Sequence, residues 1–258
     1  LEAAWPQFVN FFQGAPKLRQ EKLVIYFFNT RESWIRKLTQ DGHKVPNDGV
    51  GSRYFHSNKT AYLYRQPTRY YTRFLLLHET AHQFHDLTRR VDKEISANWY
   101  VEGVAEHLSF HHWDGQPLQL GALPVSLENY PGKAFRTMTT TPRPLVAMIQ
   151  NGQTNRPLGA LVIRYLATKE PKKFSRFAKA IEKRDASERL FQRSFADYPT
   201  FTKPFLTWLE SHQQPLHIRF DEWEHTGSES MLGHSKDHIS ITTFKDTVSL
   251  VQCHTRNR

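Results

Sequence analysis

Cysteine is almost absent from this chain, because Cys253 is the only one among its 258 residues. A single cysteine excludes an internal disulfide bond and any zinc cluster built from thiolates. A metal site in this chain must therefore take its ligands from histidine, aspartate and glutamate side chains.

Long hydrophobic runs are missing as well. The apolar stretch that starts at Leu23 already ends at Asn29, whereas a membrane helix needs about 20 apolar residues. We therefore expect no membrane span.

The chain begins at Leu1 without a basic-then-apolar leader. We therefore expect a processed product or an excised fragment, and the sequence does not indicate its compartment.

Acidic residues are too few to balance the basic ones, and the formal net charge is +10. A basic surface raises the encounter rate with any polyanion. The basic side chains nevertheless occur as scattered pairs, such as Lys172-Lys173 and Lys183-Arg184, without interleaved aromatic residues. We therefore expect an ordinary solvated surface and no nucleic-acid partner, and the oligomeric state is not indicated.

The hydrophobic patterns near the start of the chain predict a small mixed sheet with flanking helices. Helical spacing at residues 3–12 precedes a β-rich run at 23–28, and Thr30 then has the position of an N-cap for a helix ending at Leu38. Strands are expected at residues 53–56 and 60–64.

Helical patterns dominate the middle of the chain. Residues 70–90 contain neither glycine nor proline and predict one long helix, and residues 98–111 predict a second. Further helices are expected at 145–150, 158–168, 172–182 and 201–211, and short strands at 217–220, 238–243 and 247–252. The fold class predicted from this order is α+β, with a small N-terminal mixed sheet on the first long helix, a helical second lobe and a short β-rich C-terminal tail.

These patterns predict one domain over residues 1–214 and a β-rich appendage, or the start of a truncated second domain, over 215–258. Within the first domain we expect a sheet lobe at about residues 20–67, the two long helices at 70–112 and a helical lobe at 125–212. The functional cleft is expected between the two lobes.

A metal-binding pattern lies inside the first long helix, as His78-Glu79-Thr80-Ala81-His82. Residues four apart share a helix face, so His78 and His82 can bind one ion while Glu79 projects beside it. The apolar residues 74–77 before the motif suit a site in a partly dry cleft.

A third ligand should follow on another element, because catalytic zinc keeps three protein ligands and an open position. Glu102 is the natural candidate, since the segment between His82 and Glu102 allows a helix end, a loop and an antiparallel return. Gly103 would let the two long helices approach closely. Glu106 shares the face of Glu102 and is placed to accept the free ring N–H of a ligand histidine.

The blocks HETAHQF and WYVEGVAEH resemble the HExxH and WxxEGxAxY blocks of the gluzincin zinc metallopeptidases. More narrowly, the chain is similar to the bacterial peptidase-MA-like families, in which a segment like LVIYFFNTRESWIRKL precedes the motif helix. The resemblance covers roughly residues 20–210 and is specific only around 74–108. One departure is His107, which stands where the zinc aminopeptidases usually have tyrosine.

This resemblance implies one Zn²⁺ per chain, a peptide or protein substrate and hydrolysis of a peptide or amide bond. It implies that His78, His82 and Glu102 are the ligands, that Glu79 is the general base and that Glu106 is the supporting carboxylate. Gluzincins supply the oxyanion donor from a later helix, which makes Tyr165 a candidate for that role. The alternative for Tyr165 is a half-buried packing role.

Other polar residues near the motif have simpler interpretations. We expect His85 and Asp86 to be solvated or to cap the helix, although an outer-shell role is open to Asp86. We expect surface histidines at His107, His111 and His112, and we expect Trp99 to pack between helices.

Two alternatives remain for the function that the metal-binding pattern indicates: a non-catalytic zinc-containing binding module and a nucleic-acid-associated protease.

Overall fold

A computed structural model describes residues 1–14, 23–47, 49–89, 95–113, 117–123, 130–153, 155–183, 187–212, 239–244 and 248–253. Contacts group the chain into two compact units. The first unit contains Leu1–Thr88, Trp113–Gln119 and Asp221–Arg258, and the second contains Arg89–His112 and Leu120–Phe220. The fold class is α+β, as predicted.

The first unit is built on a mixed five-stranded sheet. Its strands are β1 (Leu23–Phe28), β2 (Ser52–Phe55), β3 (Thr60–Tyr64), β6 (Ile239–Phe244) and β7 (Val248–Cys253). Their order in the sheet is β2-β3-β1-β7-β6. β1 runs parallel to β3, with Ile25 opposite Ala61, and antiparallel to β7, with Ile25 opposite Val251. The two predicted tail strands therefore extend the N-terminal sheet.

Three helices belong to this unit: α1 (Trp5–Phe12), α2 (Arg31–Gln40) and α3 (Arg69–Thr88). The side chain of Thr30 caps α2 by accepting a hydrogen bond from the Ser33 N–H. α2 covers one side of the sheet, where Trp34 and Leu38 pack with Phe28 and Tyr62 in a fully buried cluster.

α3, the helix that carries the motif, is fixed to the sheet and to α1. The Gln83 amide donates to the carbonyl oxygens of Val24 and Lys59 at 3.2 and 2.6 Å. Phe84, on the next position of α3, makes ring contacts with Trp5, Phe8 and Phe12 of α1. The prediction that the sheet packs on the motif helix is confirmed.

The second unit is helical. Its helices are α4 (Asn98–Ser109), α5 (Tyr130–Thr140), α6 (Pro144–Ile149), α7 (Arg156–Lys169), α8 (Pro171–Ile181), α9 (Ser187–Ser194) and α10 (Tyr198–Ser211). α7 is the central element, since α4, α5, α8 and α10 all contact it. Its start is defined by Asn155, whose side chain accepts a hydrogen bond from the Leu158 N–H, and by Pro157 in the first turn. A separate two-stranded sheet pairs β4 (His111–His112) with β5 (Gln119–Leu120).

The predicted elements match these bounds to within a few residues. The second long helix ends at Ser109, because His111 and His112 form β4. The helices α5 and α9 and the short strands β4 and β5 were not predicted. The predicted strand at 217–220 and the domain boundary at 214–215 lie outside the described residues, so the boundary stays a prediction. Within the described part of the chain, no helix is both long and apolar enough to cross a membrane.

Candidate metal centre

His78 and His82 form a close pair on one face of α3. His78 is buried, His82 is half-buried, and their Nε2 atoms lie 3.1 Å apart with the rings at 85° to each other. In a tetrahedral zinc site with bonds of about 2.0–2.1 Å, two ligand nitrogens lie about 3.3 Å apart. The pair therefore has the spacing that one metal ion requires, although an N–H···N hydrogen bond between the imidazoles has a similar length.

The position of this pair follows from the burial of α3. Residues 74, 75 and 77 before the motif and 80, 81, 83, 84 and 85 within and after it are all buried. The ring of Phe74, one turn before His78, stacks on the His78 imidazole with centroids 6.4 Å apart. Burial of His78 and the stacked Phe74 ring limit the water around that imidazole, as expected for a site in a partly dry environment.

Glu79 is a buried carboxylate on the same helix, with a relative exposure of 6%. Its Oε1 accepts a hydrogen bond of 2.7 Å from the hydroxyl of Ser52, at the start of β2. A buried carboxylate is costly unless hydrogen bonds compensate for its lost hydration. The fold therefore holds Glu79 in one place with a hydroxyl donor that the sequence motif did not indicate.

The second unit carries Glu102 and Glu106 on α4. Glu102 is half-buried and lies 3.4 Å from the guanidinium of Arg156, the first residue of α7. Glu106 is almost fully buried, with 2% exposure. Sequence analysis missed Arg156, because its position beside Glu102 depends on how α7 packs on α4.

Gly103 lies where α4 packs closely on α7, a contact that the sequence did not predict. A Cβ atom at position 103 would lie 2.9 Å from the carbonyl carbon and oxygen of Gly159 on α7. The three atoms nearest to that position all belong to α7. Gly103 therefore serves the close contact of α4 with α7, and the expected approach of the two long helices to each other stays a prediction.

Three of the predicted site residues form a group that could hold a metal ion. One ligand atom each from His78, His82 and Glu102 can be chosen so that all lie within 4.8 Å of one another. Two imidazoles and a carboxylate are the ligand set of many catalytic zinc sites.

Tyr165 lies on α7, where its ring contacts Phe201, Phe205 and Trp208 of α10 at centroid distances of 5.3–5.6 Å. Burial, and secondarily the charge of Glu170, raises the pKa of its hydroxyl above the ordinary value. This surrounding favours the packing role. The oxyanion-donor role of Tyr165 stays a prediction.

The neighbouring histidines are less exposed than expected. His107 and His111 are buried, whereas His112 is exposed. His107 lies on α4, where residues 103–109 are all buried. Burial, with a smaller contribution from the charge of Arg164, lowers the pKa of His107 to about 3. His107 is therefore a neutral core histidine, and the expectation of a surface cluster was wrong for two of its three members.

His85 and Asp86 are also not solvated. The His85 imidazole is buried and stacks on Phe12 at 4.9 Å. Asp86 Oδ2 accepts hydrogen bonds from Tyr54 and Lys59 at 2.5 and 2.8 Å and lies 2.7 Å from His56 Nδ1. Burial by itself would raise the pKa of Asp86, but the Lys59 and Tyr54 hydrogen bonds and the charge of His56 lower it.

Trp99, as predicted, packs between helices, against Phe177 of α8 and Phe191 of α9.

Comparison of the chain with family models, with curated proteins and with solved structures finds no match in any of the three.

Proposed function

We propose that the chain is a zinc-dependent hydrolase of peptide or amide bonds, in which His78, His82 and Glu102 hold one zinc ion and Glu79 is the general base. The observation that carries the proposal is the grouping of these three ligand atoms within 4.8 Å. All three come from the sequence pattern that resembles the gluzincins, and the fourth residue of the pattern, Glu79, lies beside His78 on the same helix.

The residues present fit a catalytic zinc ion better than a structural one. Structural zinc sites in proteins usually fill four positions, often with cysteine, and Cys253 is the only cysteine here. Among the residues that the structure describes, the group consists of two imidazoles and one carboxylate, which leaves a fourth position for water or substrate. A zinc ion bound there would supply a Lewis acid that polarises a carbonyl group and increases the acidity of water.

Glu79 has the properties of a proton carrier in such a site. Its Oε1 is engaged by Ser52 at 2.7 Å, and a carboxylate has further acceptor positions on both oxygens. In the proposed reaction Glu79 accepts a proton from the attacking water and then donates it to the nitrogen of the leaving amine. The proton balance closes within one turnover, because Glu79 starts and ends as a carboxylate.

Glu79 also distinguishes this proposal from a non-catalytic zinc-containing binding module. A binding module needs the two histidines and Glu102 to hold the metal, but it does not need a buried carboxylate beside them. Burying Glu79 costs free energy, so its presence favours an enzyme over a module.

Metal analysis combined with an unbiased peptide-library digest tests this proposal. We expect about one zinc per chain and cleavage of a subset of peptides that stops after chelation and returns with added Zn²⁺. Cleavage that survives complete metal removal would contradict the proposal. Bound zinc without cleavage across broad pH and peptide sets would favour the binding module.

A further inference from the structure

Strand β2 is attached to the motif helix by two hydroxyl–carboxylate hydrogen bonds. Ser52 donates to Glu79 at 2.7 Å, and Tyr54 donates to Asp86 at 2.5 Å. Positions 52 and 54 share one face of the strand, and positions 79 and 86 are seven residues, about two turns, apart on one face of the helix. The two bonds therefore fix the register of β2 along α3.

Gly51 lies close to side chains beside α3. A Cβ atom at position 51 would lie 2.7 Å from Leu75 Cδ1 and 2.7 Å from Gln66 Nε2. Leu75 lies one turn before Glu79 on the same face of α3. The start of β2 therefore lies against α3 near the level of Glu79.

The Asp86 end of the strand has additional anchors. Asp86 also binds Lys59 and His56 from the turn between β2 and β3. Its side chain is only 8% exposed. This end of the contact can hold the strand on the helix even when one of its hydrogen bonds is removed.

We propose that Ser52 is a positioning residue for Glu79, an inference that rests on the proposed hydrolase function. The Ser52 hydroxyl keeps its proton and donates a hydrogen bond to Oε1, which restricts rotation of the Glu79 carboxylate while that carboxylate exchanges a proton with water. A base held in one orientation reacts faster than a freely rotating one, because less reorganisation is needed in the transition state. Substrate affinity does not depend on this restriction.

Three single variants test this role. Ser52→Ala removes the hydroxyl, Ser52→Thr keeps it, and Tyr54→Phe is the matched control that removes the other β2 hydroxyl from the other α3 carboxylate. For Ser52→Ala we expect kcat to fall about 10-fold with KM changed less than about twofold and zinc content unchanged. Ser52→Thr should recover most of kcat, and Tyr54→Phe should lower stability while leaving kcat unchanged.

A double-mutant cycle provides a readout that does not depend on activity. Unfolding by urea is measured for wild type, Ser52→Ala, Glu79→Ala and the double variant of the full chain at one fixed free Zn²⁺ concentration. We expect the effects on the unfolding equilibrium constant to be non-additive by about 10-fold, as for a buried hydrogen bond to a charged group.

The outcomes separate this inference from the proposed function. If wild type cleaves peptides but Ser52→Ala has the kcat of wild type, or if the Ser52 and Glu79 effects simply add, Ser52 is not a positioning residue and the hydrolase proposal stands. An equal loss of kcat in Tyr54→Phe would also overturn the inference, because it would show a general effect of strand attachment. If wild type binds zinc but cleaves nothing, the proposed function fails, and the role of Ser52 fails with it.

Discussion

The histidine pair is the residue-level feature on which the proposed metal binding depends. His78 and His82 lie one turn apart, and their Nε2 atoms are 3.1 Å from each other. Their pairing follows from helix geometry alone, because residues four apart on a helix share a face. The spacing in the sequence was therefore sufficient to predict both residues and their proximity.

Removing either imidazole should remove the metal. A three-ligand site loses a third of its donors in His78→Ala or His82→Ala, so we expect bound zinc to fall from about one to well below 0.2 per chain after dialysis. Elemental analysis of purified protein measures this. His85→Ala is the control, since His85 lies on the same helix and stacks on Phe12. Equal zinc content in His78→Ala and wild type would exclude His78 as a ligand.

His107 should make the stability of the folded chain depend on pH. Burial lowers its pKa from 6.5 to about 3 in the folded protein. Below pH 6.5 the unfolded chain therefore binds a proton that the folded chain does not, so the stability contributed by neutral His107 is present above pH 6.5 and is lost as the pH falls toward 3.

Because of this one group, the free energy of unfolding falls by up to about 1.4 kcal/mol for each pH unit below 6.5. Urea unfolding at pH 7 and pH 5 measures it, with His107→Gln as the variant that cannot take up the proton. We expect wild type to lose more stability than His107→Gln between these two pH values. Equal losses would show that His107 is not a buried neutral group.

Residues joined by tertiary contacts could not be predicted. Ser52 lies 27 residues before Glu79, and nothing in the local pattern of β2 indicates which helix position it meets. The same applies to Arg156 beside Glu102 and to the anchors of Asp86. These partners depend on the register of a strand or helix against its neighbour, and that register is fixed by packing over the whole unit.

At the scale of single elements, hydrophobic periodicity predicted most helices and strands, and the misses have a physical cause. Helix α5, YPGKAFRTMTT, contains proline, glycine and several threonines, all of which lower helix propensity. The helix nevertheless packs against α7 and α10, and burial of Ala134 and Met138 stabilises it. α9 is only 8 residues long, with Leu190 and Phe191 as its buried residues, which is too short for a periodic signal.

The packing of α4 on α7 depends on Gly103. In Gly103→Ala the new methyl group would lie 2.9 Å from the backbone of Gly159, and overpacking of this kind costs about 1–3 kcal/mol. Alanine recovers up to about 1 kcal/mol through its better helix propensity. We expect a net loss of about 1–2 kcal/mol in the free energy of unfolding, measured by urea titration.

Gly14→Ala is the matched control for this variant, because a Cβ atom there would meet nothing within 4 Å. Its free energy of unfolding should stay within about 0.5 kcal/mol of wild type. An unchanged or increased stability of Gly103→Ala would show that α4 and α7 can separate without cost, and that Glu102 is less firmly placed than we infer.

At the scale of the whole molecule, the α+β class was predictable from the order of the patterns. The alternation in the C-terminal tail predicted its two strands, β6 and β7, but not that β7 pairs with β1. Pairing between distant segments leaves no local signal, because either strand could form a separate hairpin sheet. The charge of +10 belongs to the same scale, and its expected meaning as a solvated surface stays a prediction.

The most direct test of the proposed function compares Glu79→Gln with wild type for zinc content and for hydrolysis of a library-derived peptide. Glutamine keeps the size of glutamate and can still accept the Ser52 hydrogen bond, but it cannot take a proton from water. We predict unchanged zinc content and a fall in kcat of about 10²-fold or more. Cleavage by Glu79→Gln at the wild-type rate, with zinc retained, would contradict the assignment of Glu79 as the general base.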